Sequence, residues 1–348
     1  MNKKFPYGVL TGNLVYKLFK YAKKNKFAIP AVNVHGSNTI NAAIETAAKM
    51  NAPIIIQFSY GGSLFNAGKS KDNKSAILGA ISGAYHVHLL SKHYKATVIL
   101  HTDHCNKNLL PWIDGLLKEN KKSFKYYGKP LFSSHMLDLS NEPIKNNINI
   151  CKYYFNIMKE MNITLELELG ITGGEEDNIN NKKINISKLY TCPTDVEYAY
   201  KELKKISNNF IIAASFGNMH GIHNPNVVKL KTKILKKTQL YIKKIYKTNN
   251  KPICFVFHGG SGSSIKDIKK SIKYGVVKMN IDTDTQYAFT KGIYKYINKT
   301  NKYLLSQINN NKSNKKYYDP RIVLRYGEKQ FKKRLIKAFK DLNNVNTL

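Results

Sequence analysis

At 348 residues with 42% hydrophobic side chains, the chain can bury a core without help from disulfides or metal. Cys105, Cys151, Cys192 and Cys254 are widely spaced, form no Cys-x-x-Cys, and read as the reduced thiols of a cytoplasmic protein. The formal charge of +35 invites a nucleic-acid partner, but of 57 basic residues only Arg321, Arg325 and Arg334 carry the bidentate fork that phosphate and base readout favour. Lysine spread through every segment, beside abundant Asn and Ile, reads instead as coding bias on solvated faces. No apolar run reaches the roughly 18 residues of a membrane span, and the N-terminus has no signal-peptide core.

In chain order, a helix is expected over Leu14 to Ala22, followed by a short apolar run, Phe27 to Asn33, and a helix from about Thr39 to Lys49. A second run, Pro53 to Ser59, ends on a hydroxyl before Gly61-Gly62. A loop and a long helix, Ala76 to His93, lead to Thr97–Leu100 and then His101-Thr102-Asp103-His104-Cys105. After a helix near Leu109–Leu117, Pro130 to Met136 reads as the fourth strand, and a helix follows Asp138 as far as Met161. The fifth strand, Ile163 to Gly170, alternates Leu and Glu. A polar loop over Thr172–Tyr190 and a helix over Asp195–Ile206 precede the sixth, Phe210 to Phe216. Ile253–Phe257 and Val276–Asn280 are the seventh and eighth. The tail after Thr300 carries a Lys/Asn-rich loop and a helix over Glu328–Leu342.

Short apolar strands alternating with helices imply βαβ units and a parallel sheet. Eight units can close as a (β/α)8 TIM barrel, here with an extra N-terminal helix. We expect one domain over 1–348, with 300–348 a C-terminal extension. Barrel chemistry sits where strands end, and polar residues fall at that position in all eight units. A doubly wound sheet, the alternative, would not bring every strand end to one site.

Three of those ends are His104, His220 and His258. Three imidazoles with an open fourth position suit a catalytic Zn²⁺; His101 and His135 are expected to support them from the same face. Thr164 to Gly170 places Glu166 and Glu168 on one face of a strand. Inside a barrel such carboxylates must meet metal or hydrogen bonds, and Asp138 is positioned to join them at a second metal. His258-Gly259-Gly260-Ser261-Gly262-Ser263 opens a helix and suits a phosphate, as does Asn280-Ile281-Asp282-Thr283 at the next strand end. Thr172 to Asp177 reads as a glycine-hinged acidic loop, either a solvated turn or the carrier of a mobile base over the site.

With these residues together, the chain resembles the zinc-dependent class II fructose-1,6-bisphosphate aldolases, in the longer of two subgroups. The resemblance covers nearly the whole chain. It rests on HTDHC (101–105), SSHMLDLS (133–140), TLELELGITGGEED (164–177), ASFGNMHG (214–221), FHGGSGS (257–263), VKMNIDTDTQ (277–286) and KKYYDPR (315–321). It implies a cytoplasmic homodimeric barrel that reversibly splits fructose 1,6-bisphosphate into dihydroxyacetone phosphate and glyceraldehyde 3-phosphate. In that reaction Zn²⁺ stabilises the enediolate charge as a Lewis acid.

Carried over by position, His104, His220 and His258 would hold the zinc, with Asp138 and Glu168 at a second, structural divalent position. Asp103 would protonate the aldehyde oxygen, and Glu176 would take the ketone's proton. Gly221, Gly259, Gly260, Ser261, Asn280, Ile281, Asp282 and Thr283 would bind dihydroxyacetone phosphate, assisted by a monovalent cation, K⁺ or Na⁺. Asn33, Ser59, Lys315 and Arg321 would recognise the other half. Val34-His35 and a shorter loop after Gly68 depart from the family pattern.

Two rivals remain at this point. A tagatose-bisphosphate aldolase shares the chemistry and differs at one hydroxyl; KKYYDPR favours the fructose enzyme. A binder of nucleic acid on a retired barrel would show broken site residues, and these are present. Neither nucleic acid nor membrane is therefore expected as a partner.

Overall fold

The computed structural model describes residues 4–70, 72–176, 179–181, 189–220, 229–309 and 311–348, with backbone alone at 174–176, 179–181, 220 and 309. Eight parallel strands form its centre: β1 (Ile29–Asn33), β2 (Ile54–Phe58), β3 (Thr97–Cys105), β4 (Ser134–Leu137), β5 (Thr164–Leu169), β6 (Phe210–Ala214), β7 (Phe255–Phe257) and β8 (Val276–Asn280). Each pairs with the next, and β8 pairs back onto β1 through Lys278↔Ile29 and Asn280↔Ala31, which closes the (β/α)8 barrel.

The strands are near-continuous apolar runs because both of their faces are covered. One core lies between the barrel and its helices and includes Val98, Leu100, Leu165, Leu167, Phe255 and Phe257. The second fills the lower barrel, where Ile29, Ile55, Ile99, Ile211 and Val277 meet Val15, Leu18 and Phe19 of the helix Asn13–Asn25. That helix closes the floor. Its Lys23 ammonium donates to the carbonyls of Lys251, Pro252 and Ile253, at 2.6, 3.3 and 3.3 Å, just ahead of β7. Going up each strand the inward residues turn polar: Ile55 then Gln57 on β2, Ile99 then His101 and Asp103 on β3.

Several element bounds differ from expectation. β3 runs through the whole His-Thr-Asp-His-Cys motif instead of ending at Leu100. β4 begins only at Ser134, because Leu131 and Phe132 pack into the outer core before the strand starts. A helix over Tyr60–Ala67 replaces the loop expected after β2, started by Ser59, whose hydroxyl accepts the Gly62 N–H. Within the polar loop, Gly173–Glu176 is a strand. It pairs antiparallel with Ile179–Asn181 and parallel with Met219–His220.

The tail helix spans Pro320–Asp341, eight residues more at its start than its apolar periodicity suggests, because Pro320 and the Asp319 cap begin it early. It packs on the helix Thr283–Leu304, which itself runs through Thr300. Their crossing depends on Gly292 and Gly327. A Cβ at Gly292 would meet the Tyr326 carbonyl oxygen at 2.4 Å, and one at Gly327 the Phe289 ring at 2.9 Å. Among the described residues no helix is long and apolar enough to cross a membrane.

Candidate active site

Alternation along β3 would send Asp103 inward and His104 outward, yet both reach the barrel mouth. The backbone accomplishes this at His104, which sits at φ 40 where the β3–β4 register shifts between Thr102 and Cys105. A left-handed imidazole residue inside a strand is strained, at a cost of about 1–3 kcal/mol. Sequence alternation alone gives no sign of it.

His258 follows β7 directly and comes in from the opposite wall. Its Nδ1 lies 2.8 Å from His104 Nε2, the rings edge to face with centroids 4.6 Å apart. Asp103, His104 and His258 each offer a ligand atom within 4.8 Å of the others, and His104, Asp138 and Glu168 do the same. Asp138, one residue past β4, approaches His104 Nδ1 to 3.1 Å, with Glu168 at 3.6 Å. Burial alone would raise the Asp138 carboxyl; hydrogen bonds from His104 and Ser140 hold it below its ordinary range. Burial holds His258 down, which favours the neutral ring that metal ligation needs.

Asp103 is fully buried and gripped by amides. Gln57 Nε2 and Asn33 Nδ2 donate to its Oδ2 at 2.8 and 3.2 Å, and Asn280 Nδ2 to its Oδ1 at 3.2 Å. Gln57 also donates to Asn33 Oδ1. Gln57 was not among the expected site residues, although a lone Gln in Ile-Ile-Ile-Gln-Phe is a visible break in an apolar strand. Lys278 is the same kind of signal in Val-Val-Lys-Met-Asn, masked by the abundance of lysine elsewhere.

After β7 the chain turns at Gly259, φ 58, and passes over β8 at Gly260. A Cβ there would fall 2.2 Å from Met279 Cε and 2.9 Å from its Cγ, so any other residue would have to displace Met279 or lift the loop off the strand. The buried Ser261 hydroxyl has no partner among the described residues. Ile281 donates its N–H to the Ala31 carbonyl, and Asp282 and Thr283 begin the helix Thr283–Leu304 beside the turn.

Other expected residues fall elsewhere. His135 does not support the mouth: it is locked behind the barrel wall, Nδ1 on Thr102 Oγ1 and Nε2 on Asn120 Nδ2, both at 2.8 Å. His101 lies inside, one layer below Asp103, on Ser134 Oγ and Lys278. The Ser59 hydroxyl accepts the Gly62 N–H that starts its helix, which leaves its own proton to donate. Lys315 and Arg321 lie exposed in the C-terminal extension, where the Arg321 guanidinium pairs with Asp319 at 2.6 Å. Of His220 and Glu176 only the backbone is described, each in the small sheet beside the mouth, and Gly221 lies outside the described residues.

The family model for class II fructose-bisphosphate aldolase matches residues 13–347. The chain belongs to the class II fructose-bisphosphate aldolases. It is thus an aldolase, a carbon–carbon lyase. A class 2 fructose-bisphosphate aldolase of Buchnera aphidicola subsp. Baizongia pistaciae is 57% identical, the alignment covering 100% of this chain and 99% of the relative. The Escherichia coli K12 enzyme of the same name is 54% identical over 98% and 97%. A crystal structure of fructose-bisphosphate aldolase from Campylobacter jejuni superposes with a TM-score of 0.90 at 53% identity, covering 99% of this chain and 98% of that one. The aldolase fold thus accounts for the whole chain, tail helix included.

Proposed function

We propose that this aldolase reversibly cleaves fructose 1,6-bisphosphate to dihydroxyacetone phosphate and glyceraldehyde 3-phosphate at the barrel mouth, with His104, His220 and His258 holding a catalytic Zn²⁺. The observation that carries the site is the approach of His104 Nε2 to His258 Nδ1 at 2.8 Å. Two ligands 2.0–2.1 Å from a tetrahedral zinc stand about 3.3 Å apart, so the two imidazoles already stand close to the spacing the ion needs. When bound, the ion would supply Lewis-acid polarisation of the substrate's ketone.

The chain's own groups move the protons. In the cleavage direction Asp103 takes the proton from the hydroxyl that becomes the aldehyde oxygen, and the carbon–carbon bond then breaks. Glu176 delivers a proton to the carbon left on the ketone half. Condensation reverses both transfers. The amides of Gln57, Asn33 and Asn280 fix the Asp103 carboxylate at its oxygen partner, which replaces diffusional search with orientation.

Gly259 to Ser261, Gly221 and Asn280 to Thr283 bind the dihydroxyacetone phosphate end with help from K⁺ or Na⁺. The close-lying glycine turn at Gly260, the Ser261 hydroxyl without a partner among the described residues and the neighbouring helix start support that reading. Asn33, Ser59, Lys315 and Arg321 serve the glyceraldehyde half. Asp138 and Glu168, facing His104 Nδ1, suit a second divalent position. Since a neutral ring keeps one N–H, His104 serves one ion at a time. The working unit is a cytoplasmic homodimer of one barrel domain with its 300–348 extension, acting on phosphorylated sugars and not on nucleic acid or membrane.

A chelator should abolish cleavage and Zn²⁺ should restore it. Borohydride added with dihydroxyacetone phosphate should leave activity intact; a trapped lysine adduct would replace this mechanism with an imine one.

A further inference from the structure

One layer below the mouth lies a polar cluster that the proton transfers leave unused. Lys278 on β8 is the one buried lysine among the described residues, and Glu166 on β5 and His101 on β3 are equally enclosed. Lys278 Nζ lies 2.9 Å from Glu166 Oε1, 2.8 Å from its Oε2 and 3.3 Å from His101 Nε2. His101 Nδ1 is 2.7 Å from Ser134 Oγ. At the other end Glu166 Oε1 is 2.7 Å from His258 Nε2.

The protons of this chain can be counted. An ammonium has donors and no acceptor, so Lys278 donates in each contact, and His101 Nε2 must accept. The His101 proton is then on Nδ1, given to Ser134. An ionised carboxylate only accepts, so His258 Nε2 must carry its ring's proton. That leaves the lone pair on Nδ1, the atom facing His104 Nε2, and Asn280 Nδ2 donates toward it at 3.3 Å. A protonated Glu166 could donate to Nε2 and reverse the tautomer. The Lys278 ammonium, 2.9 and 2.8 Å from the two oxygens in a site closed to water, is the counter-charge that an ionised carboxylate needs at this depth, so Glu166 accepts.

We propose that Glu166, anchored by Lys278, is a positioning residue that fixes His258 as the Nε2–H tautomer and aims its Nδ1 lone pair at the divalent cation. This rests on the reading of His258 as a metal ligand. A carboxylate behind a ligating imidazole fixes tautomer and ring orientation together, and losing one typically weakens metal binding roughly 10–100-fold. Lys278 acts one step further back, as the counter-charge that lets a carboxylate exist at that depth.

The first test needs no substitution. In the metal-free full-length protein with ¹⁵N-labelled histidine, ring ¹⁵N shifts should report His258 as Nε2–H, the signal assigned by its loss in His258→Gln. A His258 carrying its proton on Nδ1, or averaging between the two forms, overturns the proposal. Next, zinc affinity is measured by competition with a chromophoric chelator, beside thermal unfolding of the metal-free forms. Glu166→Gln should bind zinc roughly 10–100-fold more weakly. The double variant Glu166→Gln/Lys278→Met, with no stranded charge, should regain unfolding temperature but not zinc affinity. If affinity returns with stability, Glu166 merely balances Lys278 and the positioning role is overturned. Should the single variant fail to fold, the double variant and the wild-type tautomer still decide. A wild-type chain with the stated tautomer that binds no zinc overturns the metal reading itself, and the aim of the lone pair with it.

Discussion

His104 and His258 face one another through single ring nitrogens 2.8 Å apart, and the far nitrogen of each ring ends on a carboxylate, Asp138 at 3.1 Å and Glu166 at 2.7 Å. The two rings are therefore held from behind, by different walls of the barrel, before any ligand arrives. Pre-orientation of this kind means that substitutions near the mouth act on chemistry more than on folding.

Asp103 and Glu176 should separate the two proton transfers. Glu176→Ala should collapse solvent exchange of the dihydroxyacetone phosphate proton. Asp103→Ala should depress carbon–carbon cleavage far more than that exchange. Both rates can be read from one preparation by NMR, and equal loss of both in both variants would remove the distinct roles.

Gly260→Ala places a methyl group 2.2 Å from Met279 Cε and 2.9 Å from its Cγ. Relieving that clash shifts the loop off β8, and overpacking of this kind costs about 1–3 kcal/mol. KM for fructose 1,6-bisphosphate should rise, with metal content unchanged. Adding Met279→Ala should recover part of the loss in both unfolding and KM. No recovery would mean that the loop's path does not depend on this contact.

His135 should contribute to acid sensitivity. Burial pushes it from 6.5 down to about 3, between Thr102 and Asn120. The unfolded chain takes up a proton below about 6.5 and the folded one does not. Stability is thus complete above that value and falls as the pH drops toward 3, with a limiting slope of about 1.4 kcal/mol per pH unit. His135→Gln should lower stability at pH 7 but flatten its decline from pH 6.5 to 5 in urea titrations of the metal-free protein. An unchanged slope would show that this ring titrates alike in both states.

Arg321 is one of three arginines in the chain, and its exposed guanidinium is paired only with Asp319 among the described residues. If it serves the glyceraldehyde phosphate across the dimer, Arg321→Lys should raise KM for fructose 1,6-bisphosphate by roughly an order of magnitude and leave dihydroxyacetone phosphate binding nearly untouched. The purified heterodimer of Arg321→Ala and His258→Ala protomers should regain about half the wild-type rate, since one of its two sites would then be intact. Absent recovery after verified subunit exchange would confine Arg321 to its own chain.

The eight strands were legible because barrel strands, covered on both faces, read as apolar runs whose inward ends turn polar. The pair of histidines at the mouth was legible because His104 and His258 sit where those runs stop. What sequence could not show was depth. Glu166 and Glu168 alternate on one strand, but only the fold separates them, one against Lys278 and the other beside Asp138 and Thr172. His135 looked like a partner of His104 and lies behind the wall, because strand alternation fixes the face of a side chain only once the strand's register is known. The helix starting at Pro320 was hidden by a charged surface that dilutes its apolar period, and its close seat at Gly292 is a property of two helices together.

The helix Asn13–Asn25 gives the barrel a floor, and a vessel with a floor has a single rim. Substrate, products, water and metal all pass through the same opening. Anything seated at the rim, as the small sheet of Gly173–Glu176 is, governs all of that traffic at once.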